Sequence, residues 1–116
     1  MRDFHNYKVW EKGHQFAVNI YKRTKLFPKE ELFGITSQIR RAATSIPFNI
    51  AEGCGRRSDS EFAHFLNIAA GSASEVEEEL LLSYDLEFMD KTSYQRLNKE
   101  INDIKAMLNK LIETLH

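Results

Sequence analysis

The 116-residue chain contains one cysteine, two prolines, five glycines and one tryptophan. A lone cysteine, Cys54, excludes an internal disulfide and any metal site built on paired thiolates. It reads as a small packing residue beside a turn. No apolar run approaches the roughly 18–20 residues that a membrane span needs. The opening MRDFHNYKVW has no apolar block of the secretory kind, so the expected compartment is the cytoplasm, with no membrane partner. Strand-like alternation is nearly absent. A large net charge is missing too: the formal balance is −1, which argues against a chain that binds nucleic acid over its whole surface.

What is present is ordinary for a globular chain, 42% hydrophobic and 28% charged. The length fits one domain, residues 1–116, around a single core. The near-zero balance conceals a split. Residues 1–57 hold 11 Lys/Arg against 5 Asp/Glu, a net of +6, and residues 58–116 hold 5 against 12, a net of −7. Such polarity can zip the halves together, orient neighbouring subunits, leave a basic surface for an anionic partner, or simply be solvated.

Apolar residues recur at spacings of three and four, the period of amphipathic helices. The first helix is predicted over Tyr7 to Leu26, with Val9, Trp10, Gly13, Phe16, Ala17, Ile20, Tyr21 and Thr24 on one broad face. Lys8, Lys12, Gln15, Asn19, Lys22 and Arg23 take the opposite face. Phe27-Pro28 ends it, because proline pushes its predecessor out of helical geometry. A second helix is predicted from Pro28 to Glu52, with Leu32, Ile35, Ile39, Ala43, Ile46 and Ile50 as its buried stripe. Pro47 lies inside that stripe and predicts a kink, and Gly53 suits a left-handed C-terminal cap. Ser58 and Glu61 have capping-box spacing and open a third helix. Its stripe is Phe62, Phe65, Leu66, Ala69, Ala73, Val76, Leu80 and Tyr84. Ile68, Leu82 and Leu86 fall off it, on a side shared with Glu75 and Glu79, and apolar residues there predict a contact with another subunit. Asp90 or Thr92 caps a fourth helix, whose Leu97, Ile101, Ile104, Leu108, Leu111 and Leu115 follow a coiled-coil seam. The reading is all-α: an antiparallel up-down-up-down four-helix bundle, kinked in the second helix at Pro47.

Catalytic groups are scarce. Di-iron bundles need two Glu-x-x-His motifs, and here Glu61 and His64 make only one, with Glu61 already accounted for by capping. The four histidines neighbour no nucleophile, Ser58 and Ser60 read as capping groups, and Gly53-Cys54-Gly55 lacks the strand and glycines of a phosphate loop. The carboxylates from Glu75 to Glu79 point different ways on a helix and are expected to face water. The expectation is a protein that is not an enzyme and has no cofactor, metal or small-molecule substrate.

Basic residues remain. Lys8, Lys12, Lys22 and Arg23 share the exposed face of the first helix, Arg40 and Arg41 lie on the second, and Arg56 and Arg57 stand at the turn into the third. Arginine forks match phosphate oxygens, and helix-opening amides add positive potential. The alternative is that Arg56 and Arg57 pair with Asp59, Glu61 or the acidic half of a neighbour.

The stretch SQIRRAATSIPFNIAEGCGRRSDSEFAHFLNIAAGSASEVEEEL resembles the signature of the four-helix-bundle proteins encoded within intervening sequences of bacterial 23S ribosomal RNA genes. The likeness runs through Ser37, Gln38, Ile39, Arg40, Arg41, Ala42, Ala43, Ser45, Ile46, Asn49, Ile50, Ala51, Glu52, Gly53, Gly55 and Arg56. It continues with Glu61, Phe62, Phe65, Leu66, Ile68, Ala69, Gly71, Ser72 and Glu75, and the opening YKVWEKGHQFAVNIYKRTKLFP also fits. The resemblance implies a bundle assembled as a ring-like homopentamer. It also implies kinship with the accessory protein of diversity-generating retroelements, which binds nucleic acid and a reverse transcriptase. That accessory protein is strongly basic, whereas this chain has a pI near 6.4.

Within the motif, Ala42, Ala43, Ala51 and Gly53, with Ala69, Ala70 and Gly71 opposite, are expected to let two helices approach closely. Asn49 and Glu52 are suited to bonding the adjacent turn or a neighbouring subunit. The leading expectation is a homo-oligomer, a pentamer, whose basic half contacts RNA or DNA backbone. The competing one is a scaffold that docks a partner protein, such as a polymerase, through its acidic half.

Overall fold

Tyr7 is extended (φ −100°, ψ 118°) after a short 3-10 turn over Phe4–Asn6, and from Lys8 the backbone turns helical. In the computed structural model, which describes residues 2–116, helix α1 spans Lys8–Thr24. Its Val9, Gly13, Phe16, Ala17, Ile20 and Thr24 are buried at spacings of three and four. Tyr21, assigned to the same face, is 43% exposed. The helix ends where the Thr24 hydroxyl donates to the Ile20 carbonyl (2.7 Å), just ahead of the Phe27-Pro28 step.

The predicted second helix begins nine residues later than its periodicity says. Lys29–Glu31 forms a 3-10 turn, Leu32–Thr36 a widened turn, and only Ser37–Cys54 is regular helix, α2. The break falls at Gly34, which leaves helical geometry (φ −109°, ψ −121°), while the Glu31 carboxylate accepts the Ile35 N–H at 3.4 Å. Leu32 is consequently outside the core, whereas Thr36 is buried. From Ser37 the helix runs unbroken through Pro47 to Cys54, with Ile39, Ala42, Ala43, Ile46, Pro47 and Ile50 buried. Gly53 does not take a left-handed cap: the helix passes through it and ends at Gly55, and no described glycine has a positive φ. Gly53 has a different duty. A Cβ there would lie 2.9 Å from Phe62 Cδ1 and 3.0 Å from Phe65 Cβ, so glycine permits the close crossing with the next helix. Gly13 does the same for α1, since a Cβ would stand 3.1 Å from Ile46 Cγ2.

Helix α3 (Asp59–Asp85) opens on the expected Ser58 cap: the Ser58 hydroxyl accepts the Glu61 N–H at 3.1 Å and donates to the Glu61 carboxylate at 3.2 Å, so Glu61 meets the Ser58 side chain and not its N–H. It closes on a Schellman turn. The Phe88 N–H reaches the Ser83 carbonyl (2.9 Å), the Glu87 N–H the Tyr84 carbonyl (3.0 Å), and Glu87 carries the left-handed φ of 65°. Asp90 then caps α4 (Lys91–Glu113) by accepting the Ser93 N–H at 3.2 Å. Leu97, Ile101, Ile104 and Leu108 bury its seam, with Leu111 and Leu115 partly covered at the far end.

The four helices run up-down-up-down, in a body of 43 × 23 × 19 Å. Helix α2 packs most extensively on α3, and the α1–α4 seam is the loosest. Phe27 and Met89 plug one end of the core, where the Phe27 and Phe88 rings meet at 5.8 Å. Each fully buried Ile, Leu or Phe contributes about 1.5–3 kcal/mol, so this stripe-on-stripe packing dominates the stability.

Candidate nucleic-acid interface and self-association face

The candidate cations divide into captured and free. Arg40 is captured: its Nε donates to Thr24 Oγ1 at 2.8 Å, its Nη2 to the Tyr21 carbonyl at 3.4 Å, and its guanidinium lies 4.8 Å from the Tyr21 ring centre. Arg56 is captured too, paired with Glu52 at 3.0 Å, close to Glu61 at 4.0 Å and stacked 4.7 Å from the Phe65 ring centre. Arg23 pairs with Asp90 and thereby ties α1 to the start of α4. Arg2 takes the Asp59 carboxylate and lies 4.4 Å over the Phe62 ring centre. Among the described residues, Lys8, Lys12, Lys22, Arg41 and Arg57 make no ion pair, and all five are exposed.

The three free lysines lie on one stripe of α1, in the order Lys8, Lys12, Gln15, Asn19, Lys22, at spacings of four and three. At the helical rise this stripe is about 21 Å long. Gln15 donates to Asn19 within it at 3.3 Å. Alongside runs the loose α1–α4 seam, a groove of about 170 Å³ where Glu100 and Asp103 face Lys12. Asp103 also holds Lys99 at 3.0 Å, so the seam that Lys12, Gln15 and Asn19 line is mixed in charge.

The acidic half holds one surprise. Glu79, grouped with water-facing carboxylates by its sequence context, is only 8% exposed, and its Oε1 has no hydrogen-bond partner. Burial, and then the neighbouring Glu75 carboxylate, push its pKa up to about 8. By contrast, Glu77 is held below the ordinary glutamate range by hydrogen bonds, chiefly from Lys105 at 2.8 Å.

On the outer side of α3, Ile68, Leu82 and Leu86 are exposed at 39%, 42% and 49% in the single chain. Gly71, expected to face α2, instead points to open space, with nothing within 4 Å of where its Cβ would be. The α2–α3 contact is tied by other small residues: Ser45 and Ser72 share a hydrogen bond of 2.8 Å, and Asn49 donates to both the Ser45 carbonyl (2.8 Å) and hydroxyl (2.9 Å). Asn49 thus bonds its own preceding turn, and Glu52 is engaged by Arg56. His64 is exposed at the edge of the Phe65 ring, and Glu61 is spent on its cap. No group of three or more His, Cys, Asp or Glu side chains converges among the described residues.

Two exposed aromatics escaped the sequence reading, Phe33 (93%) and Phe48 (68%). Phe48 was legible in principle, since it falls off the Ile39–Ile46–Ile50 stripe. Phe33 was not, because the broken turn around Gly34 decides its direction.

The family model for 23S rRNA-intervening sequence proteins matches residues 5–110, nearly the whole bundle and all of the captured arginines except Arg2. The chain belongs to this family. Among solved structures it is similar to a protein of unknown function from the S23 ribosomal protein family of Bacteroides thetaiotaomicron. The two are 32% identical over 90% of this chain and 95% of that one, with a TM-score of 0.84. A comparison with curated proteins finds no match. Neither family nor neighbour is described by a reaction. Among the described residues no helix is long and apolar enough to cross a membrane.

Proposed function

We propose that this 23S rRNA-intervening sequence protein is a non-enzymatic, self-associating bundle that holds RNA or DNA by its phosphate backbone, without reading sequence. The observation that carries the reading is the free lysine stripe of α1. Lys8, Lys12 and Lys22 stand unpaired on one exposed face, while Arg23, Arg40 and Arg56 are drawn into the protein's own structure. Arg41 and Arg57 add free cations on α2 and at the α2–α3 turn. The ribosomal name of the similar family supports a nucleic-acid partner. Self-association covers the apolar outer face that carries Ile68, Leu82 and Leu86, and the ring of five implied by the resemblance is the expected assembly.

Few phosphate contacts mean modest affinity and a definite salt dependence. Four contacts give a slope near −3.6 in log K against log salt, hence a loss of roughly a hundred-fold between ~50 and ~200 mM. Anisotropy titrations with labelled single-stranded and duplex RNA measure this directly. Lys8/Lys12/Lys22→Glu should abolish binding and leave the helical signal unchanged. No binding at the lower salt, or full binding by the triple variant, overturns the reading.

A second reading, a scaffold for a basic protein partner, draws on the exposed Leu81 and Leu82 beside Glu78. It predicts that Glu78→Lys weakens the complex with a purified basic partner after nuclease treatment, with Glu77 left to its bond with Lys105.

A further inference from the structure

Phe33 is the most exposed large apolar side chain described, at 93%, and nothing inside the protomer accounts for it. Its turn is not loose. Glu31 donates its N–H to the Pro28 carbonyl at 2.9 Å and accepts the Ile35 N–H on its carboxylate, and the turn is anchored on both sides by buried Phe27 and Thr36. A held turn that keeps a phenyl ring in water forgoes its burial unless another surface receives it. Such a surface exists on the same molecule. Between α1 and α2 lies a groove of about 370 Å³, with Ala17, Val18, Tyr21, Pro47 and Phe48 among its lining and Lys22 and Lys25 beside them. The acids Glu30 and Glu31 precede Phe33 and, with Lys29, leave the turn a net charge of −1, complementary to the lysines of the groove.

We propose that the Phe33 turn of one copy inserts into the α1–α2 groove of a second copy, with Glu30 meeting Lys25. This rests on the self-association reading and gives it a geometry. The turn lies at the bundle end where the Phe27 and Phe88 rings meet. A second copy is the fitting occupant because every chain carries both the knob and the hole, with matching charges. Knob and hole are different surfaces, so each copy gives one contact and receives one. That is the heterologous arrangement from which closed rings are built.

Light scattering on a sizing column at micromolar concentration, with Phe33→Ser and Phe48→Arg, tests this. Both positions are exposed, so the circular dichroism should match that of the parent protein. Each variant alone should lose the assembly, down to the 13.5 kDa chain. Mixed in equal amounts they should recover a complex of one copy of each, because the knob-less chain keeps its groove and the groove-blocked chain keeps its knob. A folded single variant with the parent mass, or a mixture that stays as separate chains, overturns the proposal. An assembly broken by Leu82→Glu but indifferent to both Phe variants leaves self-association standing and removes the knob. A parent protein that runs as a single chain removes self-association and this contact together.

Discussion

Glu79 is a carboxyl group that the fold keeps nearly dry beside a second carboxyl, with one oxygen unpartnered. Its pKa is raised to about 8 from an ordinary 4.5, so between those values the folded chain holds a proton that the unfolded chain has released. Stability attached to this group therefore falls as pH climbs through that window, and the loss is complete above about pH 8. Glu79→Gln carries no titrating proton. It should match the parent at pH 5 and exceed it at pH 9 by about 1–3 kcal/mol, the scale of a buried polar group without a partner. Urea unfolding at the two pH values measures the difference. An equal gain at both would mean that packing, not protonation, separates the variants. The sequence context hid this residue: in a Glu75–Glu79 cluster dense with acids, nothing local says which one turns inward.

At the scale of the helix, two glycines of similar sequence context have opposite duties. Gly53 lies where α2 crosses α3, and a methyl group there would press on the Phe62 ring, the Phe65 Cβ and the Phe62 carbonyl at 2.9, 3.0 and 3.3 Å. Gly53→Ala should cost about 1–3 kcal/mol, the range of overpacking. Gly71 has open space around it in mid-helix, so Gly71→Ala should stabilise the protomer by about 0.5–1 kcal/mol through the reduced entropy of the unfolded chain. Denaturant titration of both variants reads the contrast, and a loss of protomer stability in Gly71→Ala would contradict it. The four helices were legible because their stripes are periodic and their starts at Ser58 and Asp90 carry side-chain caps. The late start of α2 was not, since Leu32, Ile35 and Ile39 keep helical spacing straight through the broken turn. The close approach at Gly13 was equally silent: it depends on Ile46, thirty-three positions away.

For the whole molecule, the split of +6 and −7 between the two halves bears on binding and assembly more than on stability. Among the described residues three ion pairs join the halves, Arg2 with Asp59, Arg23 with Asp90 and Arg56 with Glu61, and all three involve exposed carboxylates. The Arg56–Glu61 pair is the alternative that the sequence itself offers for Arg56, whereas the other two could not be read from the chain, since each spans more than fifty residues. The lysine stripe of α1 was readable because it needs only helical spacing. Exposed pairs contribute at most about 1 kcal/mol each and are screened by salt, whereas the apolar core is not. Raising salt from ~50 to ~200 mM should therefore move the melting temperature by no more than a few degrees, while phosphate-backbone affinity falls by roughly a hundred-fold over the same range. Thermal melts and anisotropy titrations in the same buffers make the comparison. A melting point that collapses together with the affinity would mean that the charges hold the bundle itself, and the free lysines would lose their claim to a separate role.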